Sequence, residues 1–167
     1  MDDAPAEWIQ RDGGLTRPMS LRIEGRYHLP FPPARVWSML LDVDTLRVSI
    51  PGCQSLVPTG ADAYEAVLKL GVGPIRGTFH GTVRLEDQQP PSHLRLAVSA
   101  SGPAGILHGG ADLALSPAGE ATDVAVTGEA EIGGGLVAVG RAVLTSIAKG
   151  QLDGFFAALG RSGSDDR

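Results

Sequence analysis

The sequence predicts an α+β fold in which a curved antiparallel sheet of seven strands closes over one long C-terminal helix. Three observations predict it. Between residues 63 and 132, apolar and polar residues alternate in short runs separated by turn signals. Residues 136–159 contain no proline and repeat their apolar side chains near a 3.6-residue period. A sheet with one apolar face needs a cover, and that stretch is the one long element left to provide it.

Taken in order, Leu21-Arg22-Ile23-Glu24-Gly25-Arg26-Tyr27-His28-Leu29 alternates with Gly25 as its gap, which predicts a half-buried strand. Pro30, Pro32 and Pro33 stop it. Pro33 suits the first turn of a helix over Ala34 to Leu41, where Val36, Trp37, Leu40 and Leu41 fall at helical spacing. A second short helix starts at Asp42 or Asp44 and ends before Pro51-Gly52. A second strand follows that turn. Ala63 to Leu70 then puts Tyr64, Ala66, Leu68 and Leu70 on one side, and Gly71-Val72-Gly73-Pro74 turns the chain. The cleanest alternation comes next, with Ile75, Gly77, Phe79, Gly81, Val83 and Leu85 opposite Arg76, Thr78, His80, Thr82, Arg84 and Glu86. Leu94-Leu96-Val98-Ala100, Leu107-Gly109-Ala111-Leu113-Leu115 and Val124-Val126-Gly128-Ala130-Ile132 complete the sheet, and their short spacing predicts antiparallel neighbours. Gly133-Gly134-Gly135 leads into the long helix, Leu136 to Leu159. The domain spans 20–160, between an aperiodic arm over 1–19 and a polar tail over 161–167.

At 167 residues the chain fits one domain with enough core to leave a cavity beside it. Charged residues make up 20% and the net charge is −5, with no cluster of Lys or Arg able to track phosphates, so nucleic acid is not an expected partner. One cysteine, Cys53, excludes an internal disulfide, and the start Met1-Asp2-Asp3 lacks the basic and apolar regions of a secretion signal. The expected compartment is the cytoplasm. No apolar run approaches the roughly 18 residues of a membrane span, Arg141 and Lys149 interrupting the best candidate. Membrane contact is therefore expected to be peripheral at most, at the inner face of the cell membrane.

Several of these residues resemble a known family. Ile50-Pro51-Gly52-Cys53, then Val72-Gly73-Pro74-Ile75-Arg76-Gly77-Thr78-Phe79-His80-Gly81-Thr82-Val83, preceded by Pro32 and Arg35-Val36-Trp37, are similar to the CoxG family of carbon monoxide dehydrogenase subunits, in the START/birch-pollen-allergen-like (SRPBCC) superfamily. The likeness runs over roughly residues 21–159. It implies a helix-grip fold with a deep hydrophobic cavity and a non-catalytic accessory role beside a molybdenum hydroxylase. That role is to recruit the enzyme to the membrane, to bind a quinone-like lipid, or both. Many members continue past the long helix into a linker and hydrophobic tail, whereas this sequence ends at Arg161-Ser162-Gly163-Ser164-Asp165-Asp166-Arg167.

No catalytic constellation stands out. His28, His80, His93 and His108 lie on different segments, the strand registers turn His28, His80 and His108 to polar faces, and no paired CxxC or HxxxH spacing suggests a metal. Neither metal nor cofactor is expected. Glu65, Asp112, Glu129 and Glu131 point outward, which leaves an enzyme without acid–base groups in its cavity. Cys53 has no evident base beside it and reads as a small hydrophobe. Trp37 suits either the cavity wall or the core. Gly77, Gly81, Gly109 and Gly128 lie on apolar faces, where they let the sheet curl, leave room for a ligand, or both. The candidate cavity residues are Tyr64, Leu68, Phe79, Val83, Leu96, Leu113, Val126, Leu144, Ile147 and Phe155, with Pro51, Gly52, Cys53 and Gly134 at its mouth or gate. Their chemistry suits an apolar small molecule, a lipid or quinone. The alternatives are a docking module whose cavity is filled by its own side chains and, third, an enzyme.

Overall fold

The computed structural model describes residues 19–72 and 75–165. Apart from Met19, the arm expected over 1–19 lies outside the described residues, as does Gly73-Pro74 of the turn after the third strand. Strand β1 (Met19–Leu29) alternates covered and exposed residues until Pro30 ends it. Pro33 sits at the first turn of α1 (Pro33–Leu40), which buries Val36, Trp37, Met39 and Leu40. Trp37 therefore belongs to the core. Asp42 caps α2 (Val43–Ser49), its carboxylate accepting from the Thr45 backbone N–H at 3.0 Å.

Six strands follow: β2 (Cys53–Gly60), β3 (Ala63–Val72), β4 (Ile75–Gln89), β5 (His93–Gly102), β6 (Gly105–Ala118) and β7 (Ala121–Gly133). With β1 they form one antiparallel sheet in the order β1-β7-β6-β5-β4-β3-β2. Successive strands from β2 to β7 are neighbours, but β1 pairs with β7, so β1 and β2 stand at opposite edges. Helices α1 and α2 carry the chain between them.

Because side chains alternate across a strand, the register fixes one inner face. Gly25, Val126, Leu113 and Leu94 align across β1, β7, β6 and β5, and Ala130, Gly109, Val98, Val83 and Tyr64 align from β7 to β3. Two apolar clusters occupy this face. The larger gathers Leu29, Trp37, Leu94, Leu113, Val124 and Phe156 among others, and the smaller consists of Leu21, Ile75, Phe79, Ile132, Leu136 and Leu144.

The last element differs from its expectation at both ends. Gly134–Val139 forms a 3-10 helix, and the α-helix, α3, runs from Arg141 to Asp165. Gly134 and Gly140 hold φ values of 76° and 100°, outside any right-handed helix, and so separate the two segments. At the far end the helix continues into the polar stretch because tertiary contacts hold it. Gly163 is buried with a Phe31 ring atom where its Cβ would stand, and its carbonyl accepts from Arg35 Nη2 at 3.2 Å.

Candidate functional site

The inner face is lined by small residues where it passes between the two clusters: Ala66, Gly81, Ala100, Gly109, Ala111 and Ala130. Two of its glycines have a backbone cause. A Cβ on Gly81 would stand 2.8 Å from the Ser99 carbonyl oxygen, and one on Gly109 would meet the Glu129 carbonyl oxygen and lie 2.7 Å from Ala130 Cα. The sheet bends so sharply there that no side chain fits against the neighbouring strand. Gly128 is under no such pressure, its Cβ finding ordinary contact at 3.4 Å.

Over this bend α3 does not lie flat. Its backbone comes close to β1 at one edge and to α2, which packs on β2, at the other, with no comparably close approach to the central strands. A helix that rests on both rims of a curled sheet leaves space over the middle. Side chains facing that space are accordingly only half-buried: Leu68, Val83 and Val98 lie on the inner face between the clusters and belong to neither.

The ten candidate cavity residues are distributed over this region. Tyr64, Leu113 and Val126 are buried in the larger cluster, with Leu96 and Phe155 packed on it; Phe79 and Leu144 are buried in the smaller, with Ile147 packed on it; Leu68 and Val83 bridge the gap. None is exposed. The four mouth residues are not brought to one opening. Pro51 lies under α3, where its carbonyl accepts from Gln151 Nε2 at 3.2 Å, and Gly52 closes on β3, its carbonyl accepting from the Lys69 N–H at 2.8 Å. Gly134 stands elsewhere, against Gly105 in the β5–β6 turn. Cys53 is half-buried, its thiol donating to the Ser55 carbonyl at 3.3 Å; burial pushes its pKa up, against the opposing pull of Arg47, which leaves a poor nucleophile.

Tyr27 is a residue of this face that sequence reasoning passed over. Its ring lies along β1 above Gly25, whose Cβ would come within 2.8 Å of it, and stacks on Phe156 of α3 at 4.3 Å between ring centroids. Its hydroxyl donates to Asp153 Oδ1 at 2.6 Å, and Lys149 Nζ stands 3.3 Å from the same oxygen. This tether joins helix to rim. Burial, then the hydrogen bond to Asp153, holds the phenol well above its ordinary pKa of 10.0, and the same bond keeps Asp153 below the usual carboxylate range. A raised pKa in the fold means that the unfolded chain releases the proton first. The contribution is thus complete below pH 10 or so and is lost as pH rises further. Between pH of about 8.5 and 11 the urea midpoint of the wild type is expected to fall more steeply than that of Tyr27→Phe. Parallel curves would mean that the phenol ionises as freely in the fold as out of it.

The outer face is polar and internally paired. Arg95 donates to Asp112 at 2.8 Å and to Glu129 at 2.6 Å, His93 Nε2 lies 3.2 Å from Asp112, and the Glu129 bond raises the Arg95 pKa further. His28 pairs with Asp123 at 2.8 Å, and His108 Nδ1 lies 3.0 Å from Ser99 Oγ. The register places Glu65, Asp112, Glu129 and Glu131 on this outer side. Two open grooves indent it. One, of about 1170 Å³, is lined by Arg22, Arg84, Glu86, Arg95 and Glu131 among others; the second, of about 510 Å³, includes Glu65, His80, Thr82 and Ser101. Neither is lined by any of the ten candidate residues, and their charges largely neutralise one another across strands. Among the described residues no three His, Cys, Asp or Glu side chains gather as metal ligands, and no helix is long and apolar enough to cross a membrane.

Comparison with known proteins agrees with this architecture. A conserved protein from Geobacillus kaustophilus superposes with a TM-score of 0.84 at 31% identity, over 87% of this chain and 96% of that one. The Zhui aromatase/cyclase from Streptomyces sp. R1128 gives 0.65 at 14% identity over 87% and 94%, and Ara h 8.0201 gives 0.63 at 12% over 89% and 100%; these two share the fold. No curated protein matches the sequence. Residues 25–162 match the CoxG family of carbon monoxide dehydrogenase subunits. The motifs over Pro32–Trp37, Ile50–Cys53 and Val72–Val83 thus sit inside the matched region, and the chain belongs to the carbon monoxide dehydrogenase CoxG family of the SRPBCC superfamily.

Proposed function

We propose that this protein is a non-catalytic accessory protein that holds a long apolar molecule, a lipid or quinone, between α3 and the curled sheet, and that its outside meets a molybdenum hydroxylase of the carbon monoxide dehydrogenase type. The observation that carries the ligand half of this reading is the row of small residues beneath a helix that stands off the central strands, with Leu68, Val83 and Val98 only half-buried beside it. Half-buried aliphatic side chains facing each other across a gap gain roughly 25 cal/mol per Å² when an apolar guest covers them. The partner half rests on family membership. A non-catalytic role is supported by the inner face, which presents no acid–base pair, while the acids near it in sequence turn outward. Contact with the membrane, where such a ligand is stored, is peripheral in this reading and takes place from the cytoplasm.

The test is to purify the protein natively, denature it, extract with organic solvent and identify bound molecules by mass spectrometry. A stoichiometric lipid or quinone is expected. An empty extract from well-folded protein that still captures the hydroxylase would instead favour a docking module filled by its own side chains. Leu68 is the companion variant: it stands opposite Phe79 on β4 and Cys53 on β2. Leu68→Arg puts a charge into the gap and is expected to abolish ligand retention while far-ultraviolet circular dichroism stays native. Retention unchanged by Leu68→Arg would remove β3 from the site.

A further inference from the structure

The geometry points to a lid: the segment Gly134–Gly140 swings as a unit, with Leu136 as the plug that closes the smaller-cluster end of the space between α3 and the sheet. The inference rests on the ligand-binding reading above and adds how that site opens.

Four observations converge on this segment. It is a 3-10 helix of six residues, longer than such helices usually run, and its hydrogen bonds are correspondingly poor. It is bounded on both sides by glycines at positive φ, Gly134 at 76° and Gly140 at 100°, so rotation at either end meets no Cβ penalty. One side chain of it is buried, Leu136 at 6% exposure, and the rest, from Val137 to Val139, are partly or fully exposed. Leu136 inserts beside Gly105 of the β5–β6 turn, where a Cβ on that glycine would come within 3.0 Å of Leu136 Cγ.

The place of the plug makes this a gate. Leu136 shares its small cluster with Phe79 of β4 and Leu144 of α3, on which Ile147 packs, so lifting one leucine uncovers the end of the cleft that α3 and the sheet enclose. The opposite end has no such weak point. There the larger cluster combines α1, the C-terminal half of α3 and the central strands. Opening costs the burial of a single side chain and a few short hydrogen bonds, whereas moving α3 itself breaks the Tyr27–Asp153 tether and the stack on Phe156.

The experiment locks the lid. A Cβ on Gly135 would lie 3.9 Å from the Ala104 carbonyl carbon, which suits a cysteine pair at these positions. In the Ala104→Cys, Gly135→Cys, Cys53→Ser protein, release of a pyrene-labelled fatty acid into excess vesicles is followed with the pair reduced and oxidised. Oxidation is expected to slow release at least tenfold, and reductant to restore it. Equal release by both forms, with the cross-link verified by mass, overturns the lid. No uptake by the reduced protein with native circular dichroism overturns the ligand reading, and the gate falls with it. Hydrogen exchange on the unaltered protein provides a readout independent of any ligand or variant. Amides of 136–140 should exchange at least tenfold faster than those of β7, and equal protection overturns the lid.

Discussion

Gly109→Ala is expected to destabilise the fold by about 3 kcal/mol, against less than about 1 kcal/mol for Gly128→Ala on the adjacent strand. Both glycines face inward and both sit among residues that sequence alone would call core. What separates them is where the new methyl group would go. At Gly109 it meets the Glu129 carbonyl oxygen and stands 2.7 Å from Ala130 Cα, which are backbone atoms of β7 that cannot rotate away. Relief requires β7 to shift and the β6–β7 ladder to open at its sharpest bend. At Gly128 the nearest atoms are the Gly110 carbonyl oxygen at 3.4 Å and Ala111 Cβ at 3.6 Å, which is ordinary packing, and the loss of unfolded-state freedom favours alanine. In a domain of this size 3 kcal/mol lowers the melting temperature by roughly 6–12 °C. Urea midpoints of the two variants measure the difference. Equal midpoints would show that the curl does not depend on the missing side chain at Gly109, and the cavity would need another origin.

Glycine is also where sequence reasoning reaches its limit. The strand alternation from Ala63 to Ile132 identifies every strand of the central sheet, and Pro33, Asp42 and Pro51 mark the short helices, because these signals are local and the structure satisfies them locally. The pairing of β1 with β7 also follows once a single apolar face must be closed. Gly109 and Gly128 look identical in sequence, since the difference lies in how far the neighbouring strand bends toward each, which is a property of the assembled sheet. Apolar periodicity puts the start of the long helix at Leu136 because the pattern continues through that residue. The positive φ at Gly140 interrupts the helix without interrupting the period. Tyr27 and Val98 are legible as inward-facing residues from alternation alone. Their part in the site is hidden because it depends on where α3 crosses, and nothing in the sequence states that the helix rests on the rims.

That rim-to-rim placement leads to the largest expected effect on binding. Val98→Trp should leave stability within about 1 kcal/mol of wild type while raising the dissociation constant for a pyrene-labelled fatty acid by roughly 50-fold. Val98 stands in the row Ala130, Gly109, Val98, Val83 and Tyr64, half-buried and in neither cluster, so the indole would grow into the gap under α3. If it displaces about 100 Å² of ligand contact, the loss at 25 cal/mol per Å² is about 2.5 kcal/mol. The same substitution in a close-packed interior behaves in the opposite way, forcing strained rotamers and backbone shifts that cost about 1–3 kcal/mol. The two measurements therefore divide the readings of the inner face. Unchanged stability with lost binding means that the space is real and is the binding site. Reduced stability means that the protein fills its own interior, so that ligand binding by this face has to be given up and docking is left as its function. Unchanged stability with unchanged binding puts the guest elsewhere, and the outer grooves around Arg84 and His80 become the surfaces to probe.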